Sequence, residues 1–155
     1  MVNTHMNTFE HSNIRFKYPA HWLDASRLML VRPGDGTNIQ IGKVRPADDN
    51  SSEKFFGKYC SKVLDDLKPL AGRLLQMSDF EHQHSTGKSL TFEFTDDSKK
   101  IWRQFHVVLP LGDDAYTFIW TVSEATFESQ RKEVVEIVKS FVVIPNNERQ
   151  SNGQA

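Results

Sequence analysis

Three histidines are the first candidates for chemistry in this chain. His82 and His84 stand two residues apart, so a strand would present both imidazoles on one face, a spacing that suits a pair of metal ligands. A tetrahedral site needs further ligands, and no cluster of Cys, His or Asp stands out to supply them. His106 could act as a general base, but no Ser or Cys nucleophile is indicated beside it. We therefore predict histidines packed in or exposed on strands, with no bound metal and no catalytic role.

The remaining candidates for chemistry are also better explained by structure. Cys60 lies on the apolar stripe of a predicted helix, where a thiol behaves as a small hydrophobic group. The segment Pro33–Gly36 lacks the Lys-Ser/Thr pair and the following helix of a phosphate-binding loop. Three Asp pairs are typical of turns and helix surfaces: Asp65–Asp66, Asp96–Asp97 and Asp113–Asp114. The sequence therefore predicts a protein that is not an enzyme and has no cofactor.

Composition narrows the class of protein further. The chain has 155 residues, enough for one domain with a substantial core, and a net charge of −1, which gives no electrostatic case for binding nucleic acid or an anionic membrane. Its single cysteine precludes an intrachain disulfide, as is usual in a reducing compartment. The first ten residues contain no apolar signal segment, and no window approaches the roughly 18 apolar residues of a membrane span. We expect a cytoplasmic protein that does not insert into membranes.

The segment Ile101–Trp120 is the clearest structural signal. Two stretches rich in aromatic and β-branched residues flank Leu111–Asp114, a pattern typical of a β-hairpin, and Pro110 marks the end of the first strand. Alternation in the second strand separates an aromatic face from a mixed one. The aromatic face carries Tyr116, Phe118 and Trp120, and the mixed face carries Thr117, Ile119 and Thr121.

The other elements follow from alternation, helical spacing and turn residues. They are strand Ile14–Tyr18, a hairpin of Leu28–Arg32 and Asn38–Val44, a helix over Asp48–Lys68, strands within Gln76–Thr86 and Leu90–Phe94, and a helix from Ser123 to Ser140. Phe141–Ile144 is either its last turn or a short edge strand. The order predicts an α+β domain over residues 9–144, with one antiparallel sheet and both helices on one face. Residues 145–155 are expected to form a flexible tail.

The sheet face without helices cannot be uniformly charged. Ile39 and Ile41 share one face of their strand, and the mixed face of the central hairpin still carries Ile119. An apolar surface dotted with Thr, Gln and His is a candidate docking surface. Two alternatives remain open: a larger two-sided core, or a dimer interface that buries the same face. The faces of the first and central hairpins could also be interchanged.

Two short segments resemble a known superfamily. Pro19–Ser26 contains a Pro-x-x-aromatic-x-Asp-x-Ser turn, and Gly36–Ile41 ends a hairpin with Asn and alternating aliphatic residues. This pattern is similar to the DcrB/PsbP-like superfamily and, within it, to the Eag family of cytoplasmic chaperones of type VI secretion. The similarity covers about Phe9 to Ile144. It departs at Lys43, where Arg is expected, and around His82–His84, which match no family motif.

The resemblance implies a curved PsbP-like sheet and a homodimer that encloses the N-terminal transmembrane helices of a secreted effector. Such a chaperone would shield these helices from water until the effector is loaded for secretion. A general protein-interaction module of the same fold is the alternative, although such members usually carry an export signal or lipid anchor. Together with the face assignments, this function predicts six partner-binding residues: Ile39, Ile41, Gln104, His106, Ile119 and Thr121.

Overall fold

The computed structural model describes residues 5–11, 14–19, 28–31, 37–44, 52–112 and 114–144. The strands are β1 (Met6–His11), β2 (Ile14–Pro19), β3 (Leu28–Val31), β4 (Asn38–Val44), β5 (Arg73–His82), β6 (Ser85–Thr95), β7 (Ile101–Leu111) and β8 (Asp114–Ser123). The helices are α1 (Ser52–Leu67) and α2 (Glu124–Lys139), and a short 3₁₀ turn, Lys68–Leu70, follows α1. The turn predicted at Pro33–Gly36 and the tail predicted at residues 145–155 lie outside the described residues, as does most of Pro19–Ser26.

Antiparallel pairing organises the described strands into two sheets. Six strands form one sheet in the order β3-β4-β8-β7-β6-β5, and β1 pairs with β2 in a separate two-stranded sheet. The predicted α+β class, with two helices and an antiparallel sheet, is confirmed. The predicted first strand is β2, but its partner β1 was not anticipated from the sequence. Within the described residues, no helix is both long and apolar enough to cross a membrane.

Helix α2 covers one face of the six-stranded sheet, which we call the α2 face. Phe105 and Trp120, which are paired across β7 and β8, are buried there against Phe127 of the helix. The aromatic face predicted for the central hairpin is therefore a core face. Ser123 immediately precedes α2, Glu124 lies in its first turn and Lys139 in its last, as the helix dipole favours.

Helix α1 lies on the opposite face, which we call the α1 face. Phe56 and Leu67 pack there with Leu90 and Phe92 of β6 and with Val108 of β7. The two helices thus differ from the expectation that they share one face. The reason is that the apolar residues of β6, such as Leu90 and Phe92, lie on the opposite face from most of those of β7, such as Phe105 and Val107. Both faces therefore need cover, and a two-sided core forms.

The turn between β6 and β7 is organised by one carboxylate. Asp96 Oδ1 accepts hydrogen bonds from the backbone N–H of Ser98 at 2.9 Å and of Lys100 at 3.0 Å. Its Oδ2 accepts from the indole N–H of Trp102 at 2.8 Å. Hydrogen bonds from the side chains of Ser98 and Trp102 lower the Asp96 pKa from 3.8 to about 2. The charged carboxylate therefore stabilises the turn that brings β6 and β7 into their antiparallel pairing.

We expect Asp96→Asn to lower the melting temperature at neutral pH, because the amide nitrogen cannot accept the hydrogen of Trp102. Since folding lowers the Asp96 pKa, its charge stabilises the native state above pH 3.8, and this stabilisation is lost as the pH falls toward about 2. Thermal unfolding of both proteins across pH 7 to 2 checks this. The difference should shrink in acid; a constant difference would contradict the role of the charge.

Candidate functional site

Two of the six predicted partner-binding residues lie on the α2 face. Ile39 pairs with Trp120 and Ile41 with Phe118 across β4 and β8, and antiparallel partners share a face. Ile39 is only 4% exposed in the core, and the half-buried Ile41 packs against the same cluster. The prediction that these isoleucines lie on one partner-binding face with the other four residues is therefore corrected. The sequence showed that they share a face, but the pairing register decides which one.

The other four predicted residues come together on the α1 face. Gln104 is opposite Thr121, and His106 is opposite Ile119. These two pairs continue across the sheet as two rows, because β4 and β3 follow β8 in the strand order. The first row is Phe92, Gln104, Thr121, Asn38 and Val31, and the second is Leu90, His106, Ile119, Gln40 and Met29.

The two rows divide into a covered half and a more open half. Helix α1 packs against β5 and β6, so Leu90 and Phe92 are buried. Toward β3 the side chains become accessible, and Met29 and Val31 at the sheet edge are 58% and 59% exposed. We call the accessible half the strip; its members are Met29, Val31, Asn38, Gln40, Gln104, Ile119 and Thr121.

Sequence reasoning missed Met29, Val31, Asn38 and Gln40. Alternation places Gln40 on the opposite side of β4 from Ile39 and Ile41, which was visible in the sequence. Only the β4–β8 register shows that this side faces Ile119. The apolar residues of β3 were assigned to a strand, but nothing in the sequence showed that it forms an edge.

His106 is a buried link between α1 and the strip. It is 2% exposed, its Nδ1 lies 2.6 Å from the hydroxyl of Tyr59 on α1, and its Nε2 lies 2.7 Å from Oε1 of Gln104. Burial lowers the His106 pKa from 6.5 to about 3, so the imidazole is neutral at physiological pH. His106 was predicted to contact a partner directly, but it lies too deep for that and instead contacts Gln104, which belongs to the strip.

The link continues on the strip itself. Gln104 donates from Nε2 to Oγ1 of Thr121 at 3.2 Å. A continuous series of hydrogen bonds, which we call the Tyr59 relay, therefore runs from Tyr59 through His106 and Gln104 to Thr121. It fixes the orientation of two polar side chains beside the half-buried Ile119.

The other candidates for chemistry are occupied by structural contacts. His82 Nε2 lies 2.7 Å from the carbonyl oxygen of Phe141, and its Nδ1 accepts the backbone N–H of His84 at 3.3 Å. Both ring nitrogens are thus engaged within the chain. Burial raises the pKa of the Cys60 thiol, which disfavours the nucleophilic thiolate. Among the residues whose placement is described, no group of three or more His, Cys, Asp or Glu could hold a metal ion.

A pocket lies on the α2 face, between α2 and the β3–β4 pair. It has a volume of about 250 Å³, and its lining includes Leu30, Ile39, Val134, Ile137 and the polar Gln130 and Glu133. This volume is below the roughly 300–1,000 Å³ of typical ligand pockets, and far too small for a helix. The strip is therefore the stronger candidate for a macromolecular partner.

Solved structures similar to this chain show its fold. The Pseudomonas aeruginosa protein PA94, of unknown function, superposes with a TM-score of 0.71 at 14% identity, covering 92% of this chain and 99% of that one. Cyanobacterial PsbP (CyanoP) from Synechocystis sp. PCC 6803 superposes with a TM-score of 0.56 at 12% identity, covering 90% and 92%. The fold is PsbP-like. No family model and no curated protein matches the sequence.

Proposed function

We propose that this PsbP-like protein is a chaperone of the Eag type, which binds and shields the N-terminal transmembrane helices of a type VI secretion effector in the cytoplasm. The observation that carries the proposal is the strip, where exposed Met29 and Val31 and half-buried Ile119 lie beside an ordered pair of polar side chains. An uncovered surface of this composition is typical of a docking site for an apolar partner.

The strip matches the two kinds of surface that a membrane helix offers. Its apolar side chains need burial in an aqueous compartment, and burial of apolar area contributes about 25 cal/mol per Å². Membrane helices also carry small residues that leave the backbone accessible, and polar side chains can hydrogen-bond to it there. Met29, Val31 and Ile119 serve the first need, and Gln104 and Thr121 serve the second.

The homodimer that belongs to this proposal has a candidate contact at β3. This strand lies at one edge of the six-stranded sheet, and all four of its residues are exposed and apolar. An exposed edge strand presents backbone N–H and C=O groups that can pair with a second chain. Pairing of two β3 strands would bring two strips into one continuous surface.

The proposal is tested with Ile119→Asp in the full-length protein. We expect this variant to keep its circular dichroism spectrum but to bind an apolar helix of about 20 residues, fused to a soluble carrier, at least tenfold more weakly. Burial of an Ile side chain contributes about 1.5–3 kcal/mol, and 1.4 kcal/mol corresponds to tenfold in affinity. Co-expression followed by quantitative co-purification provides the measurement.

Val142→Asp is the control, because it places the same charge on an apolar residue after α2 and outside the strip. It should bind like the wild type. Equal binding by a folded Ile119→Asp variant would exclude the strip as the site. Binding of a water-soluble amphipathic helix as tightly as the apolar one would favour the second candidate, a general interaction module of the same fold.

A further inference from the structure

The hydrogens in the Tyr59 relay can be placed from the chemistry of its members. Oε1 of Gln104 only accepts, so the Nε2 of His106 that faces it carries a hydrogen. A neutral imidazole then has a bare Nδ1, which accepts the hydroxyl hydrogen of Tyr59. Burial keeps the imidazole neutral, since the His106 pKa is lowered to about 3. The first two bonds of the relay are therefore both donated in the direction of the strip.

The third hydrogen bond of the relay, from Gln104 to Thr121, is donated in the same direction. The Nε2 group of Gln104 can only donate, so Oγ1 of Thr121 is the acceptor of their bond. The hydroxyl hydrogen of Thr121 is then left to donate to another group. Gln104 has a second N–H hydrogen as well, because an amide nitrogen carries two and only one is donated to Thr121. The two polar residues beside Ile119 thus each offer a hydrogen to whatever lies over them.

We propose that Tyr59 and His106 are positioning residues that hold Gln104 and Thr121 as hydrogen-bond donors, so that the strip selects a partner helix with accessible backbone carbonyls. Carbonyl oxygens have a second lone pair even within a helix, and small residues such as Gly and Ala leave it uncovered. A helix face covered by Leu buries its carbonyls and leaves the donors of the strip unsatisfied, which is costly in an apolar interface. This inference rests on the proposed function.

The test compares two carrier-fused helices of about 20 residues, the length of a membrane span. One is Leu throughout, and the other has Gly and Ala at every fourth position, which places the small residues along one face. We expect the wild-type protein to prefer the second helix by about tenfold, equivalent to 1.4 kcal/mol. Tyr59→Phe and Thr121→Val should both lose this preference.

Two further variants separate positioning from general damage. Thr121→Ser keeps the hydroxyl and should restore the preference. Tyr116→Phe makes the same change as Tyr59→Phe, but on a half-buried tyrosine of the α2 face, and should have no effect. If Tyr59→Phe fails to fold, Thr121→Val still decides whether the hydroxyl sets the preference, because valine replaces it with a methyl group of similar size.

An NMR measurement on the free protein tests the relay without any partner. The ¹⁵N spectrum of His106 should show the neutral tautomer with hydrogen on Nε2, and Tyr59→Phe should shift the Nδ1 resonance. Hydrogen on Nδ1 in the wild type would overturn the inference, as would an unchanged preference in folded Tyr59→Phe and Thr121→Val. A wild-type protein with the expected tautomer that binds neither helix would refute the proposed function instead.

Discussion

Trp120→Ala is expected to destabilise the protein by about 3–5 kcal/mol, the range for truncating a large aromatic core residue. Trp120 is 1% exposed, and its ring stacks on Phe127 of α2 at 5.0 Å and meets the ring of Phe105 edge-on at 6.3 Å. Truncation would open a cavity between sheet and helix where neither can move in to fill it. Urea unfolding followed by circular dichroism measures the loss.

The neighbouring residue provides a matched control. Ile119 points to the α1 face and is half-buried, so Ile119→Ala should cost about 1 kcal/mol, near the average for single substitutions. If the two variants lost similar stability, the assignment of a core face and an accessible face in β8 would be wrong. The same comparison places Ile119 outside the core, as a binding residue requires.

Local patterns predicted which residues of one strand share a face, but not which faces meet between strands. The alternation in β8 correctly grouped Phe118 with Trp120. The position of Ile39 depended on the register between β4 and β8, two strands far apart in sequence. A one-residue slip would have exchanged Ile39 for Gln40. The sequence therefore predicted most of the elements, with β1 the exception, and left the composition of the docking surface open.

The placement of the helices had a similar cause. The apolar stripe of α1 was clear from its spacing, and the bounds Ser52–Leu67 fall inside the predicted helix. An apolar stripe shows which side of a helix is buried, but it does not show which face of the sheet that side contacts. Because the apolar residues of β6 face α1 while most of those of β7 face α2, each helix packs on its own face of the sheet.

The Tyr59 relay was beyond local reasoning for a different reason. Tyr59 and His106 are 47 residues apart, and no local pattern in the sequence relates them. Their contact exists only because α1 lies on the face that carries His106. The relay therefore depends on the two-sided core: a sheet with both helices on the α2 face would have left His106 exposed and free to titrate near its ordinary pKa.

Lowering the pH from 6.5 to 4 is expected to remove about 3 kcal/mol of stability through His106 alone. The reference pKa of 6.5 applies to the unfolded chain, and burial lowers the folded value to about 3. Between these values the unfolded chain binds a proton on His106 and the folded protein does not. The free energy of unfolding therefore falls by about 1.4 kcal/mol for each unit by which the pH is lowered. Above pH 6.5 both states are neutral and this contribution is constant.

His106→Gln isolates the effect, because glutamine can hydrogen-bond within the relay but does not titrate. Urea unfolding at a series of pH values between 8 and 4 should give the variant a flatter profile, with the two curves converging or crossing in acid. Protonation would also put a hydrogen on Nδ1 of His106, which could then no longer accept the hydroxyl hydrogen of Tyr59. Protonation of His106 in the folded protein should therefore break the first hydrogen bond of the relay. Parallel loss of stability in the two proteins would mean that His106 titrates alike in the folded and unfolded chains, and neither its neutrality nor the direction of the relay could then be maintained.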